Sequence, residues 1–135
     1  MIAVVCIDDN GGMLFNNRRL SRDRILIEDL IKTADGRKIY IEPFSETLFN
    51  GKENYVLVTD DCLSGAGEDD YCFVENKNIS AYRNKIKGLI IYKWNRTYPS
   101  DLKFDFDLSD YKLNEVSEFV GSSHEKITKE IYSLF

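Results

Sequence analysis

His124 is the one histidine of the chain. Chemistry that needs several imidazoles, such as a metallo-hydrolase cluster, is therefore excluded. Prolines number two and glycines eight, too few for long disordered linkers. The three cysteines, Cys6, Cys62 and Cys72, make no even disulfide framework. Cys6 and Cys72 sit inside apolar runs and are expected as buried free thiols in a reducing compartment. An excess of positive charge is also missing. With 18 basic against 23 acidic residues the net charge is −5, so neither a nucleic acid nor a membrane surface is expected as a partner. No apolar run approaches the roughly 18 residues of a membrane-spanning helix. The opening run, Ile2 to Ile7, is too short and too acidic afterwards for a leader. A cytoplasmic location is the default expectation.

What is present is an ordinary globular composition, 43% hydrophobic and 30% charged over 135 residues, enough for one domain with a sizeable core. Ile2-Ala-Val-Val-Cys-Ile7 is rich in β-branched residues and reads as a strand buried on both faces. Asp8-Asp-Asn-Gly-Gly12 then signals a turn. Ser21 is placed to cap a helix over 22–33, where Leu26, Leu30 and Ala34 form a stripe widened by Ile27 and Ile31. Asp35-Gly36 stops it. Strands are predicted at 38–41, 55–59, 71–74 and 89–94, with short helices at 43–49, capped by Ser45, and around 79–86. The stretch 60–70 reads as an acidic loop, and 111–120 as a returning antiparallel strand. Strands alternating with helices predict an α/β fold, a single-domain three-layer sandwich whose mostly parallel central sheet ends in an antiparallel C-terminal edge.

Residues 122–135 point two ways. Ser122-Ser-His-Glu125 matches a capping box, and Glu125/Lys129, Lys126/Glu130 and Ile127/Ile131 are i, i+4 pairs. Locally these favour a helix.

Three stretches carry a family resemblance. Ile2 to Asn17 is a strand running into an Asn-Gly loop. Gly36-Arg-Lys-Ile-Tyr-Ile-Glu-Pro-Phe-Ser-Glu-Thr47 compares with Gly-Lys-Pro-Val-Ile-Met-Gly-Arg-x-Thr. Leu89 to Leu113 contains a strand, a turn with Asp101 and Phe104-Asp-Phe-Asp-Leu-Ser-Asp-Tyr-Lys-Leu113, where Tyr111 stands for a usual Trp. In order and spacing the chain resembles dihydrofolate reductase over nearly its whole length. Asp-Asp-Asn-Gly-Gly-Met-Leu-Phe-Asn and Gly-Ser-Ser-His-Glu-Lys-Ile-Thr-Lys-Glu further liken it to a divergent bacterial branch of short proteins to which no activity attaches. The resemblance implies a strand, not a helix, at 122–135.

The resemblance implies hydride transfer from the reduced cofactor, NADPH, to a pterin-like substrate, but the residues that perform it are altered. The family's acid follows Leu-Pro-Trp at the start of the first helix. Here the motif is Leu20-Ser-Arg-Asp23, and the acid's position is Ile27. Glu28 and Asp29 are the candidate proton donors, each rotated by roughly 100° per residue from that position. Gly-Arg-x-Thr, which meets phosphate, becomes Glu42-Pro43-Phe44-Ser45, and the Gly-Gly pair becomes Glu75-Asn76. The basic residue that favours a 2′-phosphate becomes Asp60 or Asp61. Tyr92 replaces the Thr that supports the acid, and fills part of its pocket. The expectation is a scaffold without reductase activity and without a cofactor, which binds a small ligand or a protein partner. The alternatives are a divergent NADP-dependent reductase and a structural homodimer.

Ligands in open α/β sheets lie beyond the carboxyl ends of the strands. That rule nominates Asp8, Asn10, Tyr92 and Trp94 as ligand-binding candidates. Arg18, Arg19, Arg22 and Arg24 form the one basic cluster, suited to an anionic ligand or to a solvated helix start. The acidic residues 60–61 and 68–70 fit no calcium loop, so no metal is expected. Ser122-Ser123-His124 is too close in sequence to read as a triad, and Ser122 is expected to cap a helix.

Overall fold

A computed structural model describes residues 1–135. In chain order the elements are β1 (Ile2–Ile7), β2 (Gly12–Phe15), β3 (Arg18–Arg19), helix α1 (Arg24–Ala34), β4 (Ile39–Ile41), β5 (Val56–Val58), α2 (Cys62–Gly65), β6 (Tyr71–Phe73), β7 (Gly88–Lys93), β8 (Leu102–Lys103), β9 (Tyr111–Phe119) and β10 (Ile127–Leu134). Pro43–Phe49, Glu53–Tyr55 and Ser80–Lys85 are 3-10 turns. Seven strands form one sheet in the order β5-β4-β6-β1-β7-β10-β9. The first five are parallel to one another, while β10 is antiparallel to both β7 and β9. A small antiparallel sheet, β3-β2-β8, stands beside it.

The opening run is the centre of this sheet, between β6 and β7. Ala3, Val4 and Val5 are fully buried, and burying each valine contributes roughly 1.5–3 kcal/mol. Alternate residues of β1 feed opposite layers. Val4 joins Phe73, Ile90 and Tyr92 under Leu26, Ile27 and Leu30 of α1, the stripe read from the sequence. Ala3, Val5 and Ile7 join Leu89 and Ile91 under Leu63, Ile79, Ile86 and Phe106. The result is the α/β three-layer sandwich, with its antiparallel C-terminal edge. Two of the three free cysteines, Cys62 and Cys72, are buried, and Cys6 is half-buried.

Several local expectations are corrected. The helix favoured over 122–135 does not form, because Ile127, Lys129 and Ile131 lie on one face of β10 and pack toward α1. A lysine in an inward position disguised the alternation of a strand. The supposed capping box is used across the molecule instead. Ser122 Oγ accepts the Arg24 N–H at 3.0 Å and so caps α1. Ser21 does not cap α1; Asp23 does, accepting from the N–H groups of Ile25 and Leu26. The helices predicted at 43–49 and 79–86 are instead 3-10 turns at 43–49 and 80–85, and Ser45 donates its hydroxyl to Glu75 rather than capping the first. Part of the predicted loop at 60–70 coils into α2, capped by Asp61.

Candidate functional site

The carboxyl end of β1 leads into a closed turn. Asp8 accepts the N–H groups of Asn10 (2.9 Å), Gly12 (2.6 Å) and Tyr98 (2.9 Å). Burial pushes its carboxyl up, but these three amides outweigh that and hold it below the usual range. Gly12 is required here, since a Cβ would collide with the Ser100 side chain and with Asp8 itself. Asp8 therefore secures the turn, and Asn10 is exposed beside it.

Further along the α1 face, Tyr92 is fully buried. Its hydroxyl donates to Asp29 at 2.7 Å, and Lys129 Nζ reaches the same carboxylate oxygen at 2.8 Å. Lys129 also donates to Thr33 Oγ1 at 2.6 Å. Burial, then the Asp29 charge, pushes the phenol of Tyr92 well up, so it stays a donor. Of the two candidate acids, Asp29 is thus joined to a tyrosine and a lysine. Glu28 lies on the solvent side of α1, paired with Arg24 at 2.8 Å.

Two carboxylates close the ends of β4 and β6. Glu75 takes the Arg19 guanidinium through two bonds, at 2.9 and 3.1 Å, and the Ser45 hydroxyl at 2.7 Å. Arg19 also donates to the Phe44 carbonyl and stacks on the Phe44 ring, 5.0 Å from its centroid. Glu42 accepts from Lys77 at 2.7 Å and from the Cys62 N–H at 3.2 Å. Replacing Arg19 by alanine leaves the buried Glu75 with Ser45 alone. Stability is expected to fall by about 2 kcal/mol, less than for a fully buried pair because Arg19 is partly exposed. A lower urea midpoint reads this out, and Arg19→Lys, lacking the two-pronged fork, recovers only part of it.

The constellation that sequence reading passed over surrounds His124. Its ring is buried and stacks on Trp94, with centroids 4.5 Å apart and planes 26° apart. Nδ1 lies 3.0 Å from Asp23 Oδ2, and Nε2 lies 2.9 Å from Ser21 Oγ and 3.3 Å from Tyr98 Oη. Asp23 also accepts the N–H groups of Ser122 and Ser123, each at 2.9 Å. Burial alone raises the Asp23 carboxyl; the Ser123 and Ser122 amides, His124 and the Leu26 amide together hold it well below the ordinary range. A Cβ on Gly121 would strike the Asp23 carboxylate, so only glycine permits this approach. The sequence signal was the pairing of an uncapped-looking Asp23 with Gly-Ser-Ser-His, but the two lie about a hundred residues apart, with nothing local to join them. Of the four ligand candidates, Trp94 belongs to this cluster, Tyr92 to the Asp29 network and Asp8 to the turn. They do not line one opening.

Comparison of the whole structure with solved structures places this architecture. A dihydrofolate reductase from Enterococcus faecalis, solved with NADP(H) and RAB-propyl, matches 98% of this chain and 95% of its own, with a TM-score of 0.68 and 11% sequence identity. The fold is that of dihydrofolate reductase. At that identity the likeness shows the fold of a divergent protein and carries no residue roles. No family model matches the chain. No curated protein matches it in sequence. On the reductase scaffold, a cleft of about 370 Å³ opens beside the start of α1, lined among others by Arg22, Arg24, Thr47, Asn50 and Lys52. No helix is long and apolar enough to cross a membrane.

Proposed function

We propose that this dihydrofolate-reductase-like protein carries out no nicotinamide-dependent reduction and binds a small anionic ligand in the cleft beside α1. The observation that carries the first half is the Arg19–Glu75–Ser45 network. A carboxylate already holding a guanidinium stands at the strand end where the resemblance would put cofactor phosphate, and Glu42 adds a second. Two carboxylates facing a pyrophosphate oppose it electrostatically. The filled position of Tyr92, and the ion pair between Asp29 and Lys129, support the same reading for the proton donor. The ligand class follows from charge. Arg22 and Lys52 make no ion pair and Arg24 shares only an exposed one, while the Asp23 carboxylate in the same lining is taken up by four amides and His124.

Thermal melting tests both halves. NADPH and dihydrofolate at millimolar concentration are expected to leave the melting temperature unchanged. Inorganic pyrophosphate is expected to raise it, since a ligand at a hundred times its dissociation constant stabilises by about 2.7 kcal/mol. Removing Arg22 and Lys52 together should abolish that rise. A clear shift with NADPH would instead overturn the first half and favour the divergent reductase, for which Glu28 and Asp29 are the candidate acids.

A further inference from the structure

The groups around His124 do more than tie two segments together. The structural tie needs Asp23, Ser122 and Ser123, which bond α1 to the turn before β10. It does not need Ser21, whose hydroxyl approaches the opposite ring nitrogen. We propose that Ser21 is a nucleophile, activated by His124 and oriented through Asp23, which accepts the acyl group of a small ester.

The proton positions follow from the acceptors. An ionised carboxylate can only accept, so the Nδ1 that faces Asp23 carries the hydrogen. Nε2 then presents its lone pair to the Ser21 hydroxyl at 2.9 Å. That is the order serine, imidazole, carboxylate of an activated hydroxyl, recognised by geometry rather than by sequence position. The Asp23 carboxylate is held by four backbone amides, those of Ile25, Leu26, Ser122 and Ser123, so the imidazole is fixed in one tautomer by a rigid support. Stacking on Trp94 suits the cation formed when His124 takes a proton. Tyr98 Oη, at 3.3 Å from Nε2, is the weaker competitor for the same lone pair.

Access and charge stabilisation have candidates as well. Ser21 is half-buried, not sealed. It lines a small cavity with Leu20 and Trp94, and Leu20 in turn lines an open groove of about 480 Å³ with Tyr98, Phe15 and Arg18. The cavity at Ser21 is only about 10 Å³, room for a single water, so a short acyl group would have to enter from the groove by displacing the Leu20 side chain between them. The N–H groups of Arg22 and Asp23, which follow the serine directly, donate to no protein group. Within the proposal they are the nearest free donors along the chain for the oxygen that becomes negative on attack.

The step balances without a cofactor. Ser21 Oγ bonds to the ester carbonyl carbon while its proton moves to His124 Nε2. The carbon–oxygen bond to the alcohol breaks, and the alcohol leaves with that proton. Water then attacks the acyl-serine, His124 relays its proton to Ser21 Oγ, and the acid departs. Asp23 acts as a positioning residue throughout.

A fluorophosphonate probe tests the serine apart from any binding in the cleft beside α1. The intact protein is expected to gain one adduct, mapped to Ser21 by peptide mass spectrometry, and to release p-nitrophenol from p-nitrophenyl acetate. Ser21→Ala is expected to lose the adduct and at least about a thousandfold of the turnover, as removal of a nucleophile does in such arrays. Its melting temperature, measured alongside, should stay within a few degrees, which shows that the loss is not unfolding. No adduct on the intact protein, an adduct elsewhere, or equal turnover by Ser21→Ala would overturn the proposal and leave Ser21 a purely structural hydroxyl.

Discussion

Asp23→Ala is expected to destabilise the protein by about 4 kcal/mol, a large part of the 5–15 kcal/mol typical of a domain. The size follows from what the carboxylate holds. It caps α1 through Ile25 and Leu26, and capping alone contributes about 1 kcal/mol. Removing it also strands the amides of Ser122 and Ser123 and the Nδ1–H of His124, whose ring is buried. Each orphaned buried donor costs roughly 1–3 kcal/mol. Urea unfolding at neutral pH measures the loss. Asp23→Asn should fall between, because its amide oxygen still accepts but its NH₂ faces donors. Acid provides a second measurement with a definite sign. The folded carboxyl is held well below its ordinary value, so its contribution is complete above the ordinary aspartate range. That contribution declines as pH falls below about 4, where the unfolded chain takes up the proton first. The decline should be shallower in Asp23→Asn. Equal acid sensitivity of the two proteins would show that Asp23 is not the group responsible.

Tyr92→Ala is expected to cost about 3–5 kcal/mol, the range for removing a large buried aromatic ring. The ring sits beneath α1 and meets Phe119 edge-on, with centroids 6.3 Å apart. Tyr92→Phe separates the hydroxyl from the ring. Asp29 keeps Lys129 in that variant, so the loss should be only about 1–2 kcal/mol. Equal losses for the two variants would place the stabilisation in the Asp29–Tyr92–Lys129 network rather than in packing. Denaturant midpoints of the pair decide this.

The fold was legible wherever one period dominated. Val4, Val5 and Ile91 lie in continuous apolar runs, and only a strand buried on both faces explains such runs in so short a length. The stripe Leu26, Leu30, Ala34 named its own face of α1. The errors came where polar residues point inward. Lys129 lies inside β10 because Asp29, Thr33 and Tyr92 meet it there, and no local pattern anticipates partners so far away along the chain. Ser122 and Ser123 read as the start of a helix because their true partners, Arg24 and Asp23, belong to another element. The departures from the family's motifs, such as Glu75 and Tyr92, were legible only as substitutions. How these groups are occupied, by Arg19 and by Asp29, required the structure.

The far-off origin of the α1 cap also orders events in time. Asp23 and the helix it begins are made early, whereas Gly121-Ser-Ser-His124 and β10 follow about a hundred residues later. During synthesis α1 therefore emerges with its cap incomplete, and short helices without tertiary support are marginal in water. Closing the sheet with the β9–β10 hairpin brings the missing acceptor, Ser122 Oγ, together with the amides that bind Asp23, and inserts β10 beside β7 in one act. Such non-local closure is slow compared with helix formation. Until it happens β7 stays an open edge, so the nascent chain is most exposed to wrong pairing just before its final hairpin docks.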